Sequence, residues 1–452
     1  MKNIVLLIST LLVTNAATLN AQIGVSSSSF SMTRSNGLSS KKIYVEDFVN
    51  FHKHDITVPT EKEVALSIDY NNQVLKDPNQ FILQVGLATQ EEGMRTLQQN
   101  KANIALVIDC SGSMSGGRLD KVKDAAKTFI DGMRDTDYLA LVTFSSNAVV
   151  NLPSIQVGEN RKKIKDVINS MTDDGSTNLN AGMLSGYEEA LKHHKSNINS
   201  RVILLTDGMT NSGETNPENI IKNSKNFNDK GIQISTIGVG NFLDDELLRQ
   251  ISREGKGSSH FIGDNEEDIR KVFKDELQSM LYMIGQKPKV TIKVPEGFKI
   301  EELYGYQPNY ENDQTVTVYP ENLTAGQTQV FIVKVRKIKV VNSPKIKATL
   351  TYQKDEKEIE IIKEKKYTSN NYTKKETKKN FQIAKAALAL NDASIANREN
   401  KQDETRKIIS DIERYLSSEA DLFDKDIKRI YDIIKEIHQN INEKQNNNFE
   451  YY

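Results

Sequence analysis

Between residues 103 and 285, short apolar runs alternate with stretches whose apolar residues recur every three or four positions. Asn103–Ile108, Tyr138–Phe144, Val202–Leu205 and Ile232–Val239 are nearly continuous apolar runs. That pattern predicts strands covered on both faces, as in a parallel sheet. Helical periodicity runs over Leu119–Met133, Arg161–Met171, Ala181–His194, Pro217–Asp229 and Glu246–Glu254. A last helix is predicted over Glu266–Leu281, with Ile269, Val272, Phe273, Leu277 and Met280 on one face. Strand and helix in alternation predict a doubly wound α/β fold with a mostly parallel sheet.

The flanks follow another rhythm. Tyr44–Phe51 reads as a short amphipathic helix, followed by strand-like Glu63–Ile68 and Phe81–Leu87. Beyond the α/β region, Val290–Val294, Thr315–Val318, Gln329–Val333 and Lys345–Leu350 alternate in polarity, as half-buried antiparallel strands do. Two strands alone make a poor domain. Both sets are therefore expected to form one β-sandwich into which the α/β unit is inserted, an arrangement that closely spaced domain termini permit. From about Tyr367, apolar stripes mark C-terminal helices: Phe381–Leu390, Ile408–Leu416, and Ile427, Ile430, Ile434, Ile437 and Ile441. The isoleucine stripe suits either a coiled-coil face for self-association or the inside of a small antiparallel bundle. The expected divisions are 22–41 (Ser-rich leader), 42–100 (helix and first sandwich strands), 101–285 (α/β unit), 286–366 (remaining sandwich) and 367–452 (helices).

Charge removes some options. Lys plus Arg total 60 against 61 Asp plus Glu, a net charge of −1, so nothing points to nucleic acid. At the amino terminus, Lys2, the apolar Ile4–Ile8 and Leu12–Val13, and Leu19-Asn20-Ala21 read as a secretory signal with the mature chain beginning at Gln22. The expected location is exported, either periplasmic or secreted and cell-surface, with no transmembrane anchor after cleavage. Cys110 is the single cysteine, which excludes an intramolecular disulfide. It reads as a small buried filler, with a reactive thiol at a helix start as the alternative. His52 and His54 have chelating spacing but no third ligand nearby in sequence, so packing or solvated roles are expected. His193 and His194, adjacent on a helix, point apart and make no metal pair.

The candidate chemistry lies in three loops. Asp109-Cys110-Ser111-Gly112-Ser113 leaves the end of the first apolar strand. Gly112 and Gly117 have phosphate-loop spacing, but Arg118-Leu119 follow where Lys and then Ser or Thr belong. Met114 occupies the place of a nucleophile between Gly112 and Gly116. Asp174-Gly175-Ser176-Thr177 precedes a helix, and Thr206-Asp207-Gly208 ends the Val202–Leu205 strand. Oxygen groups at strand ends suit a hard divalent cation. Any one such loop is ordinary capping and turn chemistry; three together are not.

At these residues the chain resembles the von Willebrand factor A-type (vWA) domain family, over about Lys101 to Gly285. Asp109-x-Ser111-x-Ser113, Thr177 and Asp207 match all five positions of that family's metal-ion-dependent adhesion site. The resemblance extends to an exported bacterial branch, through the segment before the domain. It implies that Ser111, Ser113 and Thr177 hold Mg²⁺ (Mn²⁺ or Ca²⁺ as alternatives) through hydroxyls, with Asp109 and Asp207 acting largely through waters. It also implies that a downward shift of the last helix raises ligand affinity. The expected function is a non-enzymatic, exported binding protein that captures an Asp or Glu side chain of a protein partner, in adhesion or envelope assembly. A scaffold with a stabilising metal is one alternative. A metal-dependent hydrolase is another, but the metal loops hold no His to serve as base and only Asp173 and Asp174 as spare carboxylates.

Overall fold

A computed structural model describes residues 43–91 and 101–449, apart from 196, 241–242, 263–268, 271, 275, 278–281, 307, 355–356 and 370–371. The signal and leader segments fall outside the described residues. Among the described residues, no helix is long and apolar enough to cross a membrane.

The chain enters through a short helix α1 (Val45–Val49) and two antiparallel strands, β1 (Val64–Asn71) and β2 (Gln80–Thr89). The α/β unit follows: β3 (Lys101–Asp109), α2 (Arg118–Gly132), β4 (Tyr138–Phe144), β5 (Ala148–Gln156), α3 (Arg161–Asn169), α4 (Leu179–Leu191), β6 (Ile198–Thr206), α5 (Pro217–Asp229), β7 (Gln233–Val239), α6 (Asp245–Glu254) and β8 (Lys256–Ile262). The sheet order is β5-β4-β3-β6-β7-β8, parallel except for the β4–β5 hairpin. Both faces are covered. Ile104, Leu106 and Ile108 pack beneath α2, while Ala105 and Val107 pack beneath α4. Residues 269–277, helical where described, bury Ile269, Val272, Phe273 and Leu277 beside α2; the rest of the predicted Glu266–Leu281 helix lies outside the described residues.

The chain then makes β9 (Met283–Lys293), β10 (Phe298–Tyr304), β11 (Asn309–Asn312), β12 (Thr315–Val318), β13 (Leu323–Thr324), β14 (Thr328–Lys337), β15 (Lys345–Lys354) and β16 (Lys357–Lys366). β2 pairs with β14, so strands from either side of the α/β unit share the sheet β1-β2-β14-β10. The second sheet, β11-β12-β9-β15-β16, closes over it around Phe81, Phe298, Phe331 and Val290. β9 begins at Met283, slightly inside the span assigned to the α/β unit from sequence. Three helices follow, α7 (Lys375–Arg398), α8 (Gln402–Glu419) and α9 (Lys425–Phe449). Ile427, Ile430, Ile434 and Ile437 are buried with α1, α7 and α8 in one core against the outer face of the first sheet. The stripe is therefore the inside of a bundle.

α1 also ties the sandwich to the α/β unit. Asp47 pairs with Arg249 at 2.8 Å and Glu46 with Arg253 at 2.5 Å, both arginines on α6. Tyr44 donates to Glu246 at 2.8 Å, and the two guanidinium groups sit 3.9 and 4.5 Å from its ring centre. Glu321 lies among these groups with its Oε2 buried and lacking a hydrogen-bond partner. Burial, with the Asp47 charge, pushes its carboxyl from 4.5 up to about 8. A raised folded value means that this group favours the native state at low pH, and the benefit is lost as pH rises from about 4.5 through 8. Melting temperature is expected to fall across that window, and Glu321→Gln is expected to flatten the fall. Unchanged pH dependence in the variant would contradict this assignment.

Candidate metal centre

β3 lies in the middle of the sheet, with β4 on one side and β6 on the other. Strand order reverses around β3, and a crevice forms at the carboxyl ends of such strands. Ile108 is in register with Leu205 on β6, so Asp109 and Asp207 emerge together at that end. Thr177 arrives from the loop before α4. Gly182 and Gly186 let this helix approach the sheet closely. A Cβ on Gly186 would stand 2.4 Å from Val107 Cγ2, and one on Gly182 would stand 2.5 Å from Phe144. Asn178 caps the helix by accepting from Ala181 N–H at 3.1 Å.

Backbone bonds stitch the loops together. Asp174 N–H donates to Cys110 C=O at 2.8 Å and Gly112 N–H to Gly175 C=O at 3.0 Å. The Thr177 carbonyl accepts from Asn211 and Ser212 N–H at 3.0 and 3.2 Å, and Thr177 N–H donates to Asn211 Oδ1 at 2.8 Å.

Four of the five candidate side chains form one hydrogen-bonded group. Ser111 N–H donates to Asp109 Oδ1 at 2.8 Å, Ser111 Oγ and Ser113 Oγ are 3.0 Å apart, and Ser113 Oγ donates to Asp207 Oδ1 at 2.6 Å. The fifth, Thr177, presents its Oγ1 to the same space. A side chain on Gly208 would begin 3.6 Å from that oxygen and 3.5 Å from Ser113 Oγ. Asp109, Ser111, Thr177 and Asp207 are buried and Ser113 is exposed, so the cluster opens to solvent at Ser113.

Two partners escaped sequence reasoning. Thr206 Oγ1 donates to Asp109 Oδ2 at 2.5 Å, and Arg118 pairs with Asp207 Oδ2 while donating to Ser113 C=O at 2.8 Å. Both had a local signal, a hydroxyl before the second carboxylate and a base at the first helical position, but neither is distinctive alone. Burial raises the Asp109 carboxyl, partly offset by bonds from Thr206 and Ser111. Asp207 pairs with the Arg118 guanidinium, Asp109 is held by Thr206 and Ser111, and the remaining donors are hydroxyl oxygens. Such a set fits a hard divalent cation and offers no soft ligand.

The other candidates are placed without chemistry. Cys110 is buried beneath the loop, and desolvation pushes its thiol up to about 12. Native protein is expected to resist alkylation at neutral pH with or without Mg²⁺, read by intact mass; modification in either state would restore the reactive alternative. Asp173 and Asp174 are exposed, and Asp174 Oδ1 accepts from Gly175 N–H. His193 stacks on Tyr138 whereas His194 Nδ1 lies 2.9 Å from Ser200 Oγ, so the two diverge.

Comparison with known proteins agrees with this architecture. The family model of the von Willebrand factor type A domain matches residues 103–275. YfbK of Escherichia coli (strain K12), an uncharacterised protein, is 29% identical over 261 residues, which is 56% of this chain and 44% of YfbK. Human inter-alpha-trypsin inhibitor heavy chain H3 is 30% identical over 281 residues, 60% of this chain and 30% of the relative. The chain thus spans less than half the length of these curated relatives. A solved von Willebrand factor type A structure from Catenulispora acidiphila shares the fold at a TM-score of 0.58 and 16% identity, covering 78% of this chain and 86% of that one. vWA domains commonly bind a divalent metal. Residues 103–275 thus match the von Willebrand factor type A domain family and have its fold.

Proposed function

We propose that this protein is a non-enzymatic binding protein whose Asp109, Ser111, Ser113, Thr177 and Asp207 hold Mg²⁺ and capture an acidic side chain of a protein partner. The observation that carries the reading is the oxygen cluster that opens to solvent at Ser113. Neutral hydroxyls among the ligands leave a bound ion electron-poor, so its open position attracts a carboxylate. The fold itself names no partner. Adhesion and envelope assembly both suit an exported chain, and export belongs to the same proposal.

A hydrolase would need a base beside the metal. Among the described residues, Asp109 and Asp207 are already engaged by Thr206 and Arg118, and the two spare carboxylates lie in an exposed loop. The test is capture of envelope proteins on the immobilised chain with Mg²⁺ and with EDTA. Partners retained only with Mg²⁺, and lost again in Asp109→Ala, support the proposal. Metal-dependent melting without any metal-dependent partner would instead indicate a scaffold.

A further inference from the structure

His52 and His54, on the link between α1 and β1, turn inward. Both are buried, with ring centres 4.5 Å apart. The solvated role expected from sequence is therefore excluded, and the missing third ligand comes from α7, 322 positions beyond His54. Asn50 decides which His54 nitrogen carries the proton. Its Oδ1 accepts from Val330 N–H at 2.8 Å while its Nδ2 donates to Val330 C=O at 3.3 Å, which fixes the amide orientation. The same Oδ1 lies 3.1 Å from His54 Nε2, so that nitrogen donates and Nδ1 keeps a lone pair.

His54 Nδ1 is buried without a hydrogen-bond partner and lies 3.5 Å from Glu376 Oε1. Glu376 Oε1 also accepts from Asp55 N–H and Asn380 Nδ2, each at 3.4 Å, but a nitrogen lone pair facing that carboxylate oxygen at 3.5 Å is repelled unless a cation lies between them. Ligand atoms of His52, His54 and Glu376 all fall within 4.8 Å of one another, and His52 Nε2 is 3.8 Å from Asp426 Oδ2 on α9. Tetrahedral zinc with bonds of about 2.0–2.1 Å separates its ligand atoms by about 3.4 Å.

We propose that His52, His54 and Glu376 form a second metal site selective for Zn²⁺ or a similar borderline ion, with Asp426 beside it. Two imidazoles and a carboxylate are its kind of donor set, distinct from the all-oxygen cluster of the α/β unit. Lys379 lies 3.1 Å from Glu376 Oε2 and 3.3 Å from Asp426 Oδ2, the oxygen that also faces His52, and Arg429 lies 3.8 Å from Asp426 Oδ1. Burial favours the neutral imidazoles that bind metals. The site pins the entry segment to α7, so its ion staples the helical bundle onto the sandwich.

The experiment titrates Zn²⁺ alone into chelator-stripped full-length protein, in competition with a chromophoric chelator, and repeats it with Co²⁺ for its absorption spectrum. One tight Zn²⁺ per chain is expected, retained in Asp109→Ala and weakened at least about 100-fold in His54→Ala and Glu376→Gln, with a higher melting temperature on Zn²⁺ addition. Co²⁺ is expected to give intense tetrahedral visible bands on the unsubstituted chain, a readout independent of whether the variants fold. Absence of those bands, or Zn²⁺ affinity unchanged in a folded His54→Ala, overturns the proposal.

Discussion

Asp109→Ala and Ser113→Ala are each expected to lose Mg²⁺-dependent partner capture outright, with the fold retained. Asp109 bridges β3 and β6 through Ser111 and Thr206, and Ser113 joins that group to Asp207 at the solvent-exposed mouth. Ser113 removal deletes a proposed direct ligand; Asp109 removal deletes the charge that orients Ser111. Thr206→Val probes the support behind the ligands. It leaves all five side chains in place but frees Asp109 Oδ2, and loss of such a partner lowers metal affinity about 10–100-fold. Calorimetry with Mg²⁺ distinguishes the classes: no detectable heat for the first two, a weakened isotherm for Thr206→Val. Wild-type affinity in Thr206→Val would show that Asp109 needs no such orientation.

The second large effect concerns the helix that ends the vWA domain. Glu276 is fully buried and accepts from Arg201 Nη1 and His260 Nε2, each at 2.8 Å. Burial alone would push its carboxyl up, but the Arg201 charge and the His260 bond hold it down at about 2. A depressed folded value contributes stability that is present above about 4.5 and lost as pH falls through 2. Removing one member leaves buried charge uncompensated, so Glu276→Ala is expected to cost about 3–5 kcal/mol. Chemical denaturation checks this, and a loss below about 1 kcal/mol would contradict it.

The same network bears on switching. A downward shift of this helix has to pull Glu276 away from Arg201 at the start of β6 and His260 on β8. If such a shift raises affinity, Glu276→Gln, which weakens the anchor and keeps its shape, is expected to strengthen partner capture. A disulfide locking the helix should then cancel the gain. Equal affinity in all three proteins would separate the helix from the site.

Much of this was legible along the chain because the chemistry is local. Each candidate loop carries its oxygen at a strand end or a helix start, and strand ends announce themselves as apolar runs cut off by Asp, Ser and Gly. The insertion was legible because Phe81–Leu87 needed partners that only the later strands could supply, and β2 does pair with β14. Edge strands were harder. β16 reads Lys-Glu-Ile-Glu-Ile-Ile-Lys-Glu-Lys-Lys, where charge on an exposed edge obscures the alternation. β5 carries Pro153, which belongs at an edge and weakens a strand prediction. Arg118 and Thr206 were hidden because the residues they serve lie on other segments. His52, His54 and Glu376 were beyond reach for the same reason, since only the packing of α7 on the sandwich brings them together.

The most direct measurement is the anomalous scattering map of a crystal of this protein soaked in Mn²⁺. The account predicts a peak bonded to Ser111 and Ser113 Oγ and within direct or water-bridged reach of Thr177, Asp109 and Asp207, with one coordination position open to an outside carboxylate. A map without density there, or an ion whose six positions are all filled by the chain itself, would contradict it.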